Sequence, residues 1–325
     1  MASALQLRAD SQQQHATPSV PPASLGGIPS VLPDIPICAV FLVLYVSFAA
    51  TNMTIFQRNK RRGHKFVLSV LLFGFSMARI TTLVLRIVWA TRNQNSSLAI
   101  AANIFVNAGI LIVYIINVIL GQRILRGKQP AVGWNRGLRI AYKILYASIV
   151  GALAMVITSL VVSINTTNLH TQAQCRDVQL AAITYLLVFT CLPLVHILVA
   201  FLMPRSAQEE TFGQGSLKSK AIIVALSSCI CMLIAGFKAG TIWSPARPAF
   251  NPAWYHSKAC FYAFNFLCEI LVLTLLVSTR FDRRFFVPNG CNQPGDYTRL
   301  AAQSPKPEDG SEQQSSAVEP KTNSY

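Results

Sequence analysis

Seven apolar stretches divide this chain, and they constrain its fold more than any other feature. They span residues 35–56, 66–90, 98–120, 140–163, 178–203, 221–242 and 259–279. An α-helix of about twenty apolar residues crosses the hydrocarbon core of a bilayer, where a helix satisfies all of its own backbone polar groups. The pattern therefore predicts an all-α integral membrane protein, a bundle of seven transmembrane helices.

The composition excludes an ordinary soluble domain. The chain is 52% hydrophobic and 12% charged, whereas a soluble domain carries roughly a quarter charged residues. Its net charge is +16, but the Lys and Arg residues lie in short loops between the apolar stretches and form no continuous phosphate-binding face. We therefore expect the lipid bilayer as the partner of this chain, and no nucleic acid.

The distribution of Lys and Arg predicts the orientation. Of the 28 such residues, 19 lie in one set of loops and five in the other, and the rest lie within apolar stretches. The rich set comprises residues 57–65, 121–139, 204–220 and 280–325. Because loops rich in Lys and Arg stay in the cytoplasm, the N-terminus should lie outside and the C-terminus in the cytoplasm. We expect the plasma membrane in preference to an internal membrane.

The segments outside the bundle differ from it in composition. Residues 1–34 are polar and rich in Pro, Ser and Gln, which predicts a disordered outer tail. Residues 280–291 mix basic and aromatic side chains, as a segment at the membrane interface does. Within that segment Cys291 is a candidate for palmitoylation. Residues 292–325 predict a disordered cytoplasmic tail.

Several outer positions are candidates for covalent modification. Sequons at Asn95 and Asn165 fall in predicted outer loops and are candidates for N-glycosylation. Cys175 lies in a predicted outer loop, and Cys38 and Cys260 lie near outer helix ends. A disulfide from Cys175 to either of these two cysteines stays open, because connectivity cannot be deduced from sequence.

Charged residues within the apolar stretches need a physical reason, since each costs about 2.5–3.5 kcal/mol at the bilayer centre on insertion scales. Arg79 and Arg86 are seven residues apart on the second stretch and share one helix face. Glu269 lies near the middle of the seventh stretch, as Arg79 does in the second. We therefore predict a buried ion pair between Arg79 and Glu269.

Other polar side chains predict a polar interior. Asn103, Asn107 and Tyr114 share a face of the third stretch with Asn117. Lys238 and Arg86 lie nearer the outer side, where together they would form a cationic vestibule suited to an acidic or phosphate group. Interhelical hydrogen bonding and snorkelling of the long cations are the alternatives. The candidate ligand or permeation path comprises Arg79, Arg86, Asn103, Asn107, Tyr114, Lys238, Tyr262, Asn265 and Glu269.

Four stretches carry a family resemblance. They are TNMTIFQRNKRRGHKF at 51–66, GFSMARI at 74–80, IAGFKAGTIWSP at 234–245 and PAWYHSKACFYAFNF at 252–266. They resemble a family of fungal seven-helix membrane proteins labelled "family C-like G-protein-coupled receptor", whose common domain has no assigned function. The resemblance covers about residues 25–290. It implies the seven-helix fold, and it implies no established ligand, catalytic residue or cofactor.

Two functions compete on this sequence. A receptor-like protein would bind an extracellular ligand between helices two, three, six and seven and meet a cytoplasmic G protein or another effector through its basic loops. A transporter or lipid-translocating exporter would instead use the buried charged residues as a permeation path. A scaffold, as a third class, would need nothing from those charges. The resemblance favours the receptor-like function.

The sequence contains no motif that indicates an enzyme. The histidines and cysteines show no metal-ligand spacing, so we expect no metal site. No glycine-rich phosphate loop or nucleophile elbow is present, so we expect neither a cofactor nor catalysis.

Overall fold

The computed structural model describes residues 23–63, 66–92, 96–166, 168–204, 206–245 and 247–303. Within these residues the chain is all-helical and has no β-strand. Seven of the described helices are long and apolar enough to cross a membrane, which confirms the predicted class and count. They are α1 (Val31–Arg61), α2 (Val67–Thr91), α3 (Ile100–Lys128), α4 (Arg136–Asn165), α5 (His170–Leu202), α6 (Leu217–Trp243) and α7 (Lys258–Ser278).

Several helices continue beyond the apolar stretches that predict them. The first stretch ends at residue 56, but α1 continues to Arg61 with Arg58 and Lys60 in its last turn. In the same way α3 continues past residue 120 to Lys128. Cations at a helix C-terminus interact favourably with the helix dipole, so these basic residues extend the helices and do not end them.

Contacts between connecting segments define the two ends of the bundle. At one end Asn59 of α1 donates to Asp282 after α7, and the N–H of Glu210 after α5 donates to the carbonyl of Gly127 in α3. At the other end Lys258 of α7 donates to Ser30. Successive helices therefore run in alternating directions. We call the end with Asn59 and Asp282 the basic end and the other the opposite end.

Helix α3 occupies the centre of the bundle. It packs against α2, α4, α5 and α6, while α1 packs on α2 and α7. In the most apolar window of α3, 61% of the residues are buried, against 17% in the corresponding windows of α1 and α4. Helices α1 and α4 therefore present most of their surface to lipid, and α3 presents polar side chains to the interior.

Two helices have irregular turns beside buried charges. Helix α3 is interrupted at Gly109, where a Cβ atom would lie 3.2 Å from Cζ of Arg79. The absence of a side chain there lets the guanidinium approach the backbone of α3. Helix α7 contains a π-helical turn at Ala263–Leu267, which ends two residues before Glu269. Such turns occur frequently at functional sites.

The prediction of a disordered tail over residues 1–34 is wrong for its last part. Gly26 donates its N–H to the carbonyl of His256, and Asp34 lies inside α1 with 1% of its surface exposed. The segment is ordered because Asp34 has cationic partners in the bundle. The composition of a short stretch of sequence does not reveal partners that come from other helices. Residues 1–22 lie outside the described residues.

The prediction of disorder after residue 292 is also wrong for residues 292–303. A short helix, α8 (Asp296–Gln303), follows the turn after α7, and Tyr297 on it is 1% exposed. The segment is ordered because its aromatic ring has a buried site between two other aromatic side chains. Residues 304–325 lie outside the described residues.

Candidate functional site

The predicted ion pair between Arg79 and Glu269 is present in the structure. Nε and Nη2 of Arg79 donate to the two carboxylate oxygens of Glu269 at 2.6 and 2.5 Å, and both side chains are 0% exposed. The Tyr45 hydroxyl donates to the same carboxylate at 3.0 Å. Nη1 of Arg79 donates to the carbonyls of Phe105 and Val106 at 3.1 and 3.0 Å. Both charges are therefore well partnered inside the bundle.

A second buried cluster centres on Asp34. One carboxylate oxygen accepts from Nη2 of Arg86 at 3.2 Å and from the Tyr262 hydroxyl at 2.6 Å. The other accepts from Nζ of Lys258 at 2.5 Å and from the N–H of Ser30 at 2.9 Å. This carboxylate neutralises Arg86 near the opposite end and ties α1, α2 and α7 together.

The prediction that Arg86 and Lys238 form one cationic vestibule is wrong. Arg86 is 3% exposed and packs over the Phe261 ring with its Cζ atom 4.0 Å from the centroid. Its charge is matched by Asp34. Lys238 contacts α3 instead and shares no partner with Arg86. The vestibule fails because Asp34, which sequence assigns to the tail, takes Arg86 as its partner.

A cavity of about 90 Å³ lies between α3, α4, α5 and α6. Its walls are aliphatic except for four side chains, namely Asn107 and Tyr114 of α3, Gln179 of α5 and Lys238 of α6. Asn107 and Gln179 are in the early turns of their helices and Lys238 is near the end of α6. The cavity is therefore in the half of the bundle next to the opposite end.

Lys238 is the least satisfied charge of the candidate set. The residue is 6% exposed, and its ammonium lies 3.4 Å from both the carbonyl oxygen of Val106 and Oδ1 of Asn107. N–H···O bonds are usually 2.7–3.2 Å long, so both contacts are weak. Across the part of the chain that the structure describes, no carboxylate lies within ion-pairing distance of it.

The remaining predicted asparagines do not line this cavity. Asn117 accepts from the Ser227 hydroxyl at 2.8 Å and joins α3 to α6, as the hydrogen-bonding alternative expects. Asn265 donates to a carbonyl of its own helix. The carbonyl of Asn103 accepts from the Asn107 side chain one turn later at 3.0 Å.

The disulfide at Cys175 that the sequence leaves open is absent, because all eight cysteines are free thiols. Cys175 is buried in a groove between α4 and α5. Cys38 lies across the bundle in α1, with its Sγ atom 3.2 Å from the Tyr262 hydroxyl. Cys260 contacts the carbonyl of Trp254.

The other modification candidates stay predictions. Asn165 is exposed at the end of α4, and Asn95 lies outside the described residues. The Cys291 thiol is half-buried and donates to the carbonyl of Pro288 at 3.2 Å. Burial raises the pKa of this thiol, which lowers its content of reactive thiolate.

At the basic end, three segments of the chain pack into a cap. We define the cap by residues 130–134, 206–216 and 281–303. The ring centroid of Tyr297 lies 5.6 Å from that of Trp134 and 5.4 Å from that of Phe212. Burial raises the pKa of the Tyr297 phenol. The cap thereby holds α8 against the loops that follow α3 and α5.

Two carboxylates fix the start of α8. Glu210 accepts from the backbone N–H groups of Gly295 and Tyr297 at 2.6 and 2.9 Å, which satisfies donors that a helix start leaves unpaired. Asp296 accepts from the N–H groups of Asn292 and its neighbour at 2.8 and 2.9 Å. These bonds hold the pKa of the Asp296 carboxyl below its usual range.

Replacing Tyr297 with alanine should release α8 from the cap while leaving the membrane bundle folded. Losing a buried aromatic side chain costs about 3–5 kcal/mol, which is large for a helix of eight residues. Amide hydrogen exchange should then lose its protection over residues 296–300. Replacing Thr298, an exposed neighbour, with alanine should preserve it. Equal protection in both variants would show that Tyr297 does not anchor the segment.

Sequence reasoning missed three residues of these clusters: Asp34, Tyr45 and Lys258. A signal for Asp34 exists, since the chain has only 12 acidic residues and few of them adjoin an apolar stretch. An acid beside the first stretch is the natural partner for a cation buried near the same end. The roles of Tyr45 and Lys258 depend on which helices are neighbours, and no signal in the sequence marks them.

The fold and these clusters define the class: the chain is a helical integral membrane protein with seven candidate spanning helices and a polar interior. Residues 213–286, which include α6 and α7, match the family described as "Protein of unknown function (DUF3112)". The description names no activity and no receptor. No curated protein and no solved structure matches this chain.

Proposed function

We propose that this chain is a receptor-like membrane protein that binds a small ligand within the half of its bundle next to the opposite end. The cavity between α3, α4, α5 and α6 carries this proposal, because it combines aliphatic walls with a few convergent polar groups. The predicted ligand path between helices two, three, six and seven is replaced by this one, since the charges on α2 and α7 are paired.

The excess of Lys and Arg supports an orientation with the basic end in the cytoplasm of the cell and the cavity towards the outside. A G protein or another effector would then meet the cap. The plasma membrane is the location in which such a receptor meets external ligands. Tags at the two termini test this orientation: an N-terminal tag should be labelled on intact cells, and a tag after Tyr325 only after permeabilisation.

The alternative of a transporter or lipid-translocating exporter has less support. A transporter would require a permeation path lined by Arg79, Arg86, Lys238 and Glu269. Three of these four are held in ion pairs with nearly fully buried partners. A permeant would have to break those pairs, and each broken pair would leave an uncompensated charge within the bundle.

Filling the cavity tests the receptor-like function directly. Leu186 lines the cavity, and Leu198 on the same helix is 57% exposed, so Leu186→Trp and Leu198→Trp make a matched pair. The purified proteins in lipid nanodiscs would be mixed with a panel of G proteins and a panel of small organic acids, amides and amines. We expect one ligand class to raise nucleotide exchange in wild type and Leu198→Trp, and Leu186→Trp to abolish the rise because the indole occupies the cavity.

Two results would contradict the receptor-like function. Exchange that stays flat for every ligand and G protein removes the support for signalling through G proteins. A response that survives in Leu186→Trp shows that the cavity is not the binding site. Ligand flux into liposomes that contain the wild-type protein would favour the transporter.

A further inference from the structure

The Lys238 ammonium, a donor that lines the cavity, has only weak acceptors. The Lys238 ammonium has three N–H donors, and the structure gives it two contacts of 3.4 Å. The Tyr114 hydroxyl lines the same cavity. A buried polar group without a partner costs free energy, so this arrangement favours a ligand that brings acceptor oxygens.

The charge balance selects the sign of the ligand. Glu269 is the acid of the adjoining region, but Arg79 holds both of its oxygens and Tyr45 donates to one of them. This leaves the ammonium of Lys238 without an ion-pair partner among the described residues. An anionic group at Lys238 would complete an ion pair with a side chain that is 6% exposed, whereas a cation would be repelled.

The size of the cavity limits the ligand to a small molecule. Its volume is about 90 Å³, whereas a cavity of about 150 Å³ holds benzene. By proportion to the six carbons of benzene, it accepts about four non-hydrogen atoms. The walls opposite Lys238 are aliphatic side chains such as Leu153, Val156 and Ile183. They suit a short hydrocarbon chain and do not suit a second polar group.

We infer that the cavity binds a short-chain monocarboxylate, with its carboxylate at the Lys238 ammonium and the Tyr114 hydroxyl and its hydrocarbon part against α4 and α5. This inference rests on the cavity of the proposed function and adds the chemical class of the ligand. It does not depend on which effector the protein engages.

The experiment compares propionate with one neutral and one cationic analogue of similar size. Binding of propionate, propionamide and n-propylamine to the purified full chain in lipid nanodiscs is measured by isothermal titration calorimetry at neutral pH. Propionate should bind saturably, and the two analogues should bind at least about tenfold more weakly, because a charge-assisted hydrogen bond is about twice as strong as a neutral one. Hexanoate should bind more weakly than propionate because it exceeds the cavity.

Two variants identify the residue responsible. Lys238→Met should abolish propionate binding, and it should fold at least as well as wild type because it removes a buried charge that has no ion-pair partner. Lys143→Met is the matched control, since Lys143 is exposed on α4, and this variant should bind propionate as wild type does. Tyr114→Phe should weaken binding about tenfold through loss of a hydrogen bond to a charged group.

The outcomes separate the ligand class from the proposed function. If propionamide binds as tightly as propionate, or Lys238→Met leaves propionate binding unchanged, the carboxylate inference is overturned while a ligand-binding cavity remains. If chloride competes as well as propionate does, the site takes a simple inorganic anion and the inference is overturned. If none of the probes binds, the inference fails, and the Leu186→Trp experiment decides separately whether the cavity is used.

Discussion

Replacing Glu269 with leucine should be the most destabilising single change in the bundle, lowering the free energy of unfolding by about 3–5 kcal/mol. The leucine leaves the Arg79 guanidinium without its carboxylate while its side chain remains 0% exposed. Two backbone carbonyls continue to accept from Arg79, but neither supplies a charge. Unfolding of the purified protein in mixed detergent micelles, followed by circular dichroism, measures the loss.

The double replacement Arg79→Met with Glu269→Leu is the control. Removing both charges eliminates the uncompensated ion, and apolar side chains of similar volume often replace a buried pair at little cost. The double variant should therefore regain most of the stability that Glu269→Leu loses. A double-mutant cycle then gives the interaction free energy between Arg79 and Glu269. A double variant as unstable as the single one would mean that packing around Glu269, and not its charge, stabilises the bundle.

Asp34→Asn should have the second-largest effect, about 3 kcal/mol or more. Asparagine keeps nearly the same shape but removes the charge that Arg86 and Lys258 share. The Arg86 side chain is 4% exposed and would keep its charge with no carboxylate beside it, whereas the Lys258 side chain is 30% exposed and partly solvated. The same unfolding measurement applies.

A surface pair provides the comparison for Asp34. Arg299 pairs with Asp296 at 2.8 Å, but its side chain is 68% exposed. Arg299→Gln should change the free energy of unfolding by less than about 1 kcal/mol, since solvent screens exposed pairs. Adding Arg86→Gln to Asp34→Asn should recover part of the stability. If Asp34→Asn behaves like Arg299→Gln, the cluster around Asp34 does not hold the helices together.

The two buried clusters differ in how far sequence could predict them. The Arg79–Glu269 pair was predictable, because both residues lie at mid-depth in their helices and a lone charge at that depth requires a partner. The Asp34–Arg86 pair was not, because Asp34 adjoins a polar segment and composition assigns it to the tail. For the same reason the sequence predicts a cationic vestibule of Arg86 and Lys238 and leaves Arg86 without its acidic partner.

The cap at the basic end shows the same limit. Residues 292–303 are polar, and their composition predicts disorder. Their order depends on one aromatic ring, Tyr297, and on the Glu210 carboxylate, which lies far away in the chain. A window along the sequence averages over such contacts and cannot detect a partner from another loop.

Sequence by itself determined the class of this protein, the number of its spanning helices and the need to pair Arg79 with Glu269. These follow from the free energy of placing apolar and charged groups in a bilayer, which is a local property of each stretch. Only the tertiary structure decided that Asp34 neutralises Arg86, that α8 folds onto the loops, and that the cavity lies beside Lys238. Each of these depends on which helices are neighbours, and that is set by packing between segments distant in the chain.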